Sequence, residues 1–212
     1  RRNYRDMHAL VREAVENIEG ARNNDGHISG IPSGFARLDA MTAGWQKSDL
    51  IILAARPGMG KTAFVLSMAR NMTVDFKRPI AVFSLEMTGV QLVTRLIASE
   101  TELDAEKLRR GQLEQYEWEQ LNAKIGNLTS APLFIDDTPA LNIFELRAKC
   151  RRLKSQHNIQ LAIVDYLQLM SAGSDGRGNR EQEISNISRS LKSLAKELDI
   201  PVVAISQLSR AV

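Results

Sequence analysis

Cysteine is nearly absent: Cys150 stands alone, so no internal disulfide can form. A lone thiol fits a protein kept in a reducing cytosol. Long hydrophobic runs are missing as well. The longest apolar stretches, such as residues 50–55, stop far short of the roughly 20 residues that span a bilayer. No charged-then-apolar leader opens the sequence, so neither membrane insertion nor secretion is expected. Charge of one sign is also lacking, since 28 Lys plus Arg against 25 Asp plus Glu leave a net of +3. That balance permits nucleic-acid binding without arguing for it, because basic nucleic-acid domains are usually more lopsided. His8, His27 and His157 are scattered and Cys150 is isolated, which suggests no transition-metal site. What is present is an ordinary globular composition: 212 residues, 43% hydrophobic and 25% charged. Such a chain can bury a real core, which excludes a disordered segment and a small stapled scaffold.

The first segment, from residue 4 to about residue 20, has helical periodicity. Met7, Val11, Ala14 and Ile18 recur at steps of four, three and four, with Leu10 and Val15 widening the stripe. Gly20 and the run Asn23-Asn24-Asp25-Gly26 then supply a stop and a turn-rich tether. The apolar stripe either packs on its own domain or docks on a neighbouring chain. From Ile31 onward, short apolar runs alternate with helical ones. Strands are expected at 50–55, 80–85, 133–135, 161–166 and 202–206, each nearly continuously apolar, as strands covered on both faces are. Helices are expected at 62–74, 90–99, 114–125, 143–157 and 181–198. This alternation predicts an α/β fold with a mostly parallel sheet flanked by helices. The polar, glycine-rich run 171–180 reads as a loop.

The strongest chemical signal is Ala55-Arg56-Pro57-Gly58-Met59-Gly60-Lys61-Thr62, set between a strand and a helix. Successive backbone N–H groups of a glycine-rich turn can face a phosphate, and the helix N-terminus, with Ala63 in its first turn, adds partial positive charge. Lys61 can reach β- and γ-phosphates, and the Thr62 hydroxyl can ligate Mg²⁺. One departure is Ala55, where the usual pattern opens with glycine. Asp165 ends an apolar strand, where a parallel sheet presents a carboxylate to magnesium, although many such acids only cap the next helix. Glu86 follows the strand 80–85. If that strand neighbours the loop-bearing one, its carboxylate could polarise an attacking water; otherwise it is a solvated glutamate near a helix N-terminus. Ser206-Gln207 ends the last strand, where a neutral amide could contact the γ-phosphate or be no more than a polar strand end. Arg177 and Arg180 in the glycine-rich run suit a phosphodiester backbone, or are simply exposed. Arg147, Arg151 and Lys154 read as a solvated helix face.

Together, Ala55 to Thr62, Phe83-Ser-Leu-Glu-Met87, Ile163-Val-Asp-Tyr-Leu-Gln-Leu-Met170 and Ile205-Ser-Gln-Leu-Ser-Arg210 resemble the bacterial replicative helicases of the DnaB family. So do Thr42-Ala-Gly-Trp45 and Ser190-Leu-Lys-Ser-Leu-Ala-Lys196. The resemblance runs from about Ile31 to the last residue and implies a RecA-like P-loop ATPase core. Residues 1–27 are then a linker helix and tether, and 28–212 an ATPase domain incomplete at its C-terminal end. The resemblance further implies ATP and Mg²⁺ as ligands and a homohexamer around single-stranded DNA in a bacterial cytoplasm, close to the nucleoid. Primase and a helicase loader are implied as partners. By position, Lys61 and Thr62 match the nucleotide and Mg²⁺ contacts, Glu86 the catalytic glutamate, Asp165 the Mg²⁺-linked acid and Gln207 the γ-phosphate sensor. Alanine at the opening of the phosphate loop is common in that family. A recombinase or clock-type RecA-like ring is the alternative.

Overall fold

The computed structural model describes residues 4–22, 28–165, 167–170 and 180–208. Among these, the first helix, α1 (Met7–Arg22), buries none of its residues. A short helix, α2 (Ala36–Thr42), precedes the first strand, β1 (Leu50–Ala55), and α3 (Lys61–Arg70) follows the glycine-rich turn. Then come β2 (Ile80–Ser84), α4 (Gly89–Thr101), α5 (Ala105–Arg110), α6 (Gln115–Thr129) and β3 (Leu133–Asp136). The chain continues through α7 (Ile143–His157), β4 (Leu161–Asp165), α8 (Arg180–Leu198) and β5 (Val202–Gln207). The expected α/β class holds, and no helix among the described residues is long and apolar enough to cross a membrane.

The five strands form one sheet in the order β1-β5-β4-β2-β3, with every pairing parallel. Alternate residues of each strand face opposite sides, so a sheet covered on both faces needs apolar residues at every position. β4 does this cleanly. Leu161 and Ile163 join Met68, Met72, Leu92 and Leu96 on the α3–α4 side. Ala162 and Val164 join Leu146, Cys150, Leu191 and Leu194 under α7 and α8. β1 departs from the expected two-sided burial, because it is an edge strand and Ile52 is 47% exposed. Cys150 is buried in the α7–α8 layer, where desolvation pushes its thiol up to about 12 and keeps it unreactive.

Two helices have no counterpart in the periodicity reading, α2 and α5. Both are too short to repeat an apolar stripe, although α5 carries local signals: Asp104 accepts from Glu106 and Lys107 N–H, and Gly111 closes the end in the left-handed region. The helix expected at 62–74 is α3 followed by a wider π turn, Asn71–Asp75, and Thr73 returns its hydroxyl to the Ala69 carbonyl there. The cationic face of α7 is not merely solvated. Arg147 and Arg151 both pair with Glu197 of α8, tying the two helices of that layer together.

Ahead of β1, the buried Asp39 of α2 anchors the approach to the sheet. Its carboxylate accepts from the Ser33 N–H and hydroxyl, both at 2.7 Å, and from the Gly34 N–H at 3.0 Å. The Ser33 carbonyl in turn accepts from Asn71, just past α3, at 3.3 Å. Gly34 has φ +82°, and a Cβ there would fall 2.4 Å from that of Asn71, so only glycine fits. Asp39→Ala is expected to lower stability by about 2–3 kcal/mol, because it strands a buried N–H and hydroxyl. A urea midpoint within error of the parent's would show that this turn stabilises nothing.

Candidate active site

A parallel sheet releases all its strands at one edge, and the residues singled out from the sequence gather there. β1 hands the chain to the turn 56–60, in which Gly58 and Gly60 have φ +77° and +79°. Neither Cβ would meet any atom within 4 Å, so glycine is required there by backbone conformation, and the turn encloses open space. Ala55 lies within β1 and is not among the positive-φ residues, which removes the physical objection to alanine at that position. α3 starts at Lys61, and its N-cap, Gly60, supplies no side-chain bond. By contrast, α4, α5 and α7 are closed by the side chains of Thr88, Asp104 and Asn142. The first turn of α3, with Thr62 and Ala63, thus directs backbone N–H groups toward the loop's hollow. A pocket of about 220 Å³ lies beside it, lined by Leu53, Ala55, Met59, Gly60, Lys61 and Phe64. Arg56 and Met59 are exposed on the turn, and Pro57 is half-buried. The two larger hollows, about 450 and 460 Å³, lie elsewhere, around Arg70 and Glu100 and around Trp45 and Asp199. Chemistry rather than volume marks the site.

Glu86 requires a correction of detail. β2 does not neighbour β1; β5 and β4 lie between them. β2 pairs instead with β4, placing Ser84 opposite Asp165, and the Leu85 N–H donates to the Asp165 carbonyl at 2.8 Å. Glu86 therefore follows directly on the strand that flanks the Asp165 strand. It is exposed, at the crest of a turn that Ser84 closes. The buried Ser84 hydroxyl donates to the Met87 carbonyl at 2.7 Å and accepts the Met87 N–H at 3.2 Å. Glu86 is not in the first turn of α4, which begins after the Thr88 cap. The sequence reading missed Ser84 because serine between apolar strand residues and a turn carries no periodic signal.

Asp165 is the electrostatic centre of the site. It is 4% exposed, and its Oδ1 lies 4.0 Å from Lys61 Nζ. Among the described residues, that oxygen is the one buried side-chain nitrogen or oxygen without a hydrogen-bond partner. Burial, the largest influence, pushes the Asp165 carboxyl up; Lys61 opposes this, and Glu86 adds to it. An orphaned, desolvated carboxylate oxygen facing a lysine fits a hard divalent cation, which takes oxygen ligands and retains water. Asp165 and the Thr62 hydroxyl are the residues that would hold it.

Gln207 closes β5 beside the phosphate loop, in register with Ala55. Arg177 lies outside the described residues, as do Ser209 and Arg210. The backbone of Arg180 opens α8, but its side chain is outside the description. The structure therefore brings together Lys61, Thr62, Glu86, Asp165 and Gln207, while the arginine pair lies outside what it describes.

The raised carboxyl at Asp165 makes a stability prediction. A folded-state value above the unfolded one means that ionised Asp165 costs stability at neutral pH, a cost lost as pH falls into the ordinary aspartate range. Asp165→Asn should raise the melting temperature of the nucleotide-free chain by about 2–4 °C at pH 7, while weakening Mg²⁺-dependent nucleotide binding. The gap should narrow near pH 4. A lower melting temperature in the variant would mean that the Lys61 attraction outweighs burial.

Comparison with known proteins agrees with this geometry. A family model described as the DnaB-like helicase C terminal domain matches residues 30–212. The replicative DNA helicase DnaB of Geobacillus stearothermophilus is 47% identical over 99% of this chain and 46% of its own length. The replicative DNA helicase DnaC of Bacillus subtilis (strain 168) is 46% identical over the same shares. This chain thus spans about half the length of those relatives. Among solved structures, one ATPase domain superposes with a TM-score of 0.89 at 36% identity, covering 98% of this chain and 73% of that one. A DnaB-like replicative helicase solved for its interactions with primase gives 0.84 at 35% identity, covering 98% of this chain and 49% of that one. With its phosphate loop, buried acid and parallel sheet in that arrangement, the chain belongs to the DnaB-like helicase C-terminal domain family.

Proposed function

We propose that this chain is the ATP-hydrolysing motor of a replicative DNA helicase that moves along single-stranded DNA as a ring of six copies. The observation that carries the reading is the convergence of the glycine turn, Lys61, Asp165 and Glu86 on one edge of the parallel sheet. ATP is the substrate. The backbone N–H groups of 58–62 and Lys61 bind its phosphates, Thr62 and Asp165 hold Mg²⁺, and Gln207 contacts the γ-phosphate. Mg²⁺, when bound, supplies positive charge to the phosphate oxygens. Glu86, exposed on its Ser84-closed turn, orients and deprotonates the attacking water. Binding energy is directed at transferred charge, since phosphoryl transfer leaves little covalent chemistry for the protein. A recombinase or clock-type ring is not favoured by relatives that are named replicative helicases. Primase is a partner in this reading, supported by the related helicase solved for that interaction. A loader belongs to the same reading, as does a bacterial cytoplasmic location near the nucleoid, with Arg177 and Arg180 as DNA contacts.

Residues 1–27 form a linker in this proposal and 28–212 the motor domain. The support is α1 itself, whose stripe stays in solvent: Met7 is 73% and Ile18 69% exposed, with Leu10, Val11 and Val15 also uncovered. An apolar helical face of that kind is covered when a second copy lies against it.

Two experiments follow. Lys61→Ala should weaken ATP binding, whereas Glu86→Gln should leave binding nearly intact and remove most hydrolysis, by about 10²-fold or more. Steady-state phosphate release settles the second point; parental turnover in Glu86→Gln would sink the assignment. Deleting residues 1–22 should reduce self-association, read by light scattering, without unfolding the sheet domain. An unchanged oligomer after that deletion would mean that α1 does not bridge copies.

A further inference from the structure

The described β4–β5 pairs run from Ala162↔Val202 through Ile163↔Val203 to Val164↔Ala204, while β5 pairs with β1 as far as Gln207. On its β4 side, the end of β5 is met by a side chain. Gln168 Nε2–H donates to Ser206 Oγ at 2.9 Å and to the Gln207 carbonyl at 3.0 Å. Gln168 Oε1 accepts the Gln207 N–H at 3.1 Å. The carboxamide thus exchanges with Gln207 both bonds that a directly paired residue of an antiparallel strand would exchange. On the opposite side, Leu208 N–H donates to the Ala55 carbonyl at 3.0 Å, at the mouth of the phosphate loop. The main chain of Gln207 is therefore gripped from both flanks.

Gln168 itself is held firmly. It sits in a 3₁₀ turn, Leu167–Leu169, three residues past Asp165. Leu167 is 2% exposed in the α7–α8 core, and the turn is closed by Met170 N–H to the Leu167 carbonyl at 3.1 Å. Gln168 thus ties this turn, three residues past Asp165 in sequence, to the main chain of Gln207.

We propose that Gln168 is a positioning residue that couples the Mg²⁺-holding strand end to the γ-phosphate contact of Gln207, and so sets the preference of the site for a nucleoside triphosphate over a diphosphate. The inference rests on the reading of Gln207 as the γ-phosphate contact. A diphosphate gives Gln207 nothing to meet, so loss of its positioning weakens triphosphate binding and spares diphosphate binding. Loss of bonds of this kind corresponds to about five- to tenfold in the affinity ratio.

The test is a double-mutant cycle on the full chain, with fluorescent ADP and a fluorescent non-hydrolysable ATP analogue, both with Mg²⁺. Gln168→Leu keeps the side-chain bulk and removes the bonds to Ser206 and Gln207. Gln168→Glu keeps the acceptor and removes the donor, and it serves if the leucine variant fails to fold. Either should lower the triphosphate preference about five- to tenfold with little change in ADP affinity, and should have no further effect in a Gln207→Ala background. A preference unchanged in the Gln168 variants, while Gln207→Ala alone lowers it, overturns the coupling and leaves the sensor reading standing. An equal loss in both backgrounds also overturns it, since Gln168 would then act by another route. If Gln207→Ala itself leaves the preference unchanged, the sensor reading fails and takes the proposal with it.

Discussion

A parallel ladder allows no choice about where a strand delivers its last residue: all five strands here end at the same edge. Everything functional in this chain depends on that constraint. The turn after β1, Glu86 after β2, Asp165 at the end of β4 and Gln207 at the end of β5 lie far apart in sequence. They meet because parallel pairing aligns strand ends and because the crossovers keep the helices on the two faces. The core serves this arrangement by burying β2, β4 and most of β5 on both sides, so that the edge does not shift.

At that edge the protein holds a charge under unfavourable conditions. Asp165 is buried, one of its oxygens lacks a hydrogen-bond partner, and Lys61 stands 4.0 Å away. A fold optimised for stability alone would place a neutral residue there. In the proposed function the carboxylate is kept there because it would ligate a cation. Lys61 limits the cost of its burial and would also serve the phosphates. The neighbouring turn divides the labour differently. Glu86 stays in solvent, and Ser84 beneath it fixes the crest by bonding Met87 twice.

Much of this was legible in the residues. Apolar runs of three to six, separated by helical periodicity, announce a two-faced parallel sheet, and Gly58 and Gly60 mark a turn that needs the left-handed region. All five strands fall where those runs lie, and α7 matches residue for residue. What was not legible is neighbourhood. The sequence order of strands does not say that β5 and β4 insert between β1 and β2, so it left open whether Glu86 stands beside the phosphate-loop strand; it stands beside the Asp165 strand. The short helices α2 and α5 lack the length to show a stripe. Asp39 and Ser84 bond within a few residues, but neither sits in a periodic pattern that marks it; Gln168 has no local signal at all, because its role exists only after folding has brought 168 to 207.

The change from backbone to side-chain bonding toward the active edge has a dynamic consequence. Over Ala162 to Val164, β4 is held to β5 by a regular ladder of main-chain bonds inside a fully buried layer. At Ser206 and Gln207 burial on β5 declines, and there the Gln168 carboxamide bonds to both residues. Main-chain ladders in a dry core open only with the fold, whereas a half-buried side-chain amide can exchange its partners at the cost of one or two bonds. The sheet is thus rigid where strands must be aligned and adjustable at the Gln207 end of β5. The proposed motor activity needs both properties, because the presence or loss of one phosphate must move something without loosening the core. Along β5 the boundary between rigid and adjustable falls between Ile205, which is fully buried, and Ser206, whose hydroxyl accepts from Gln168.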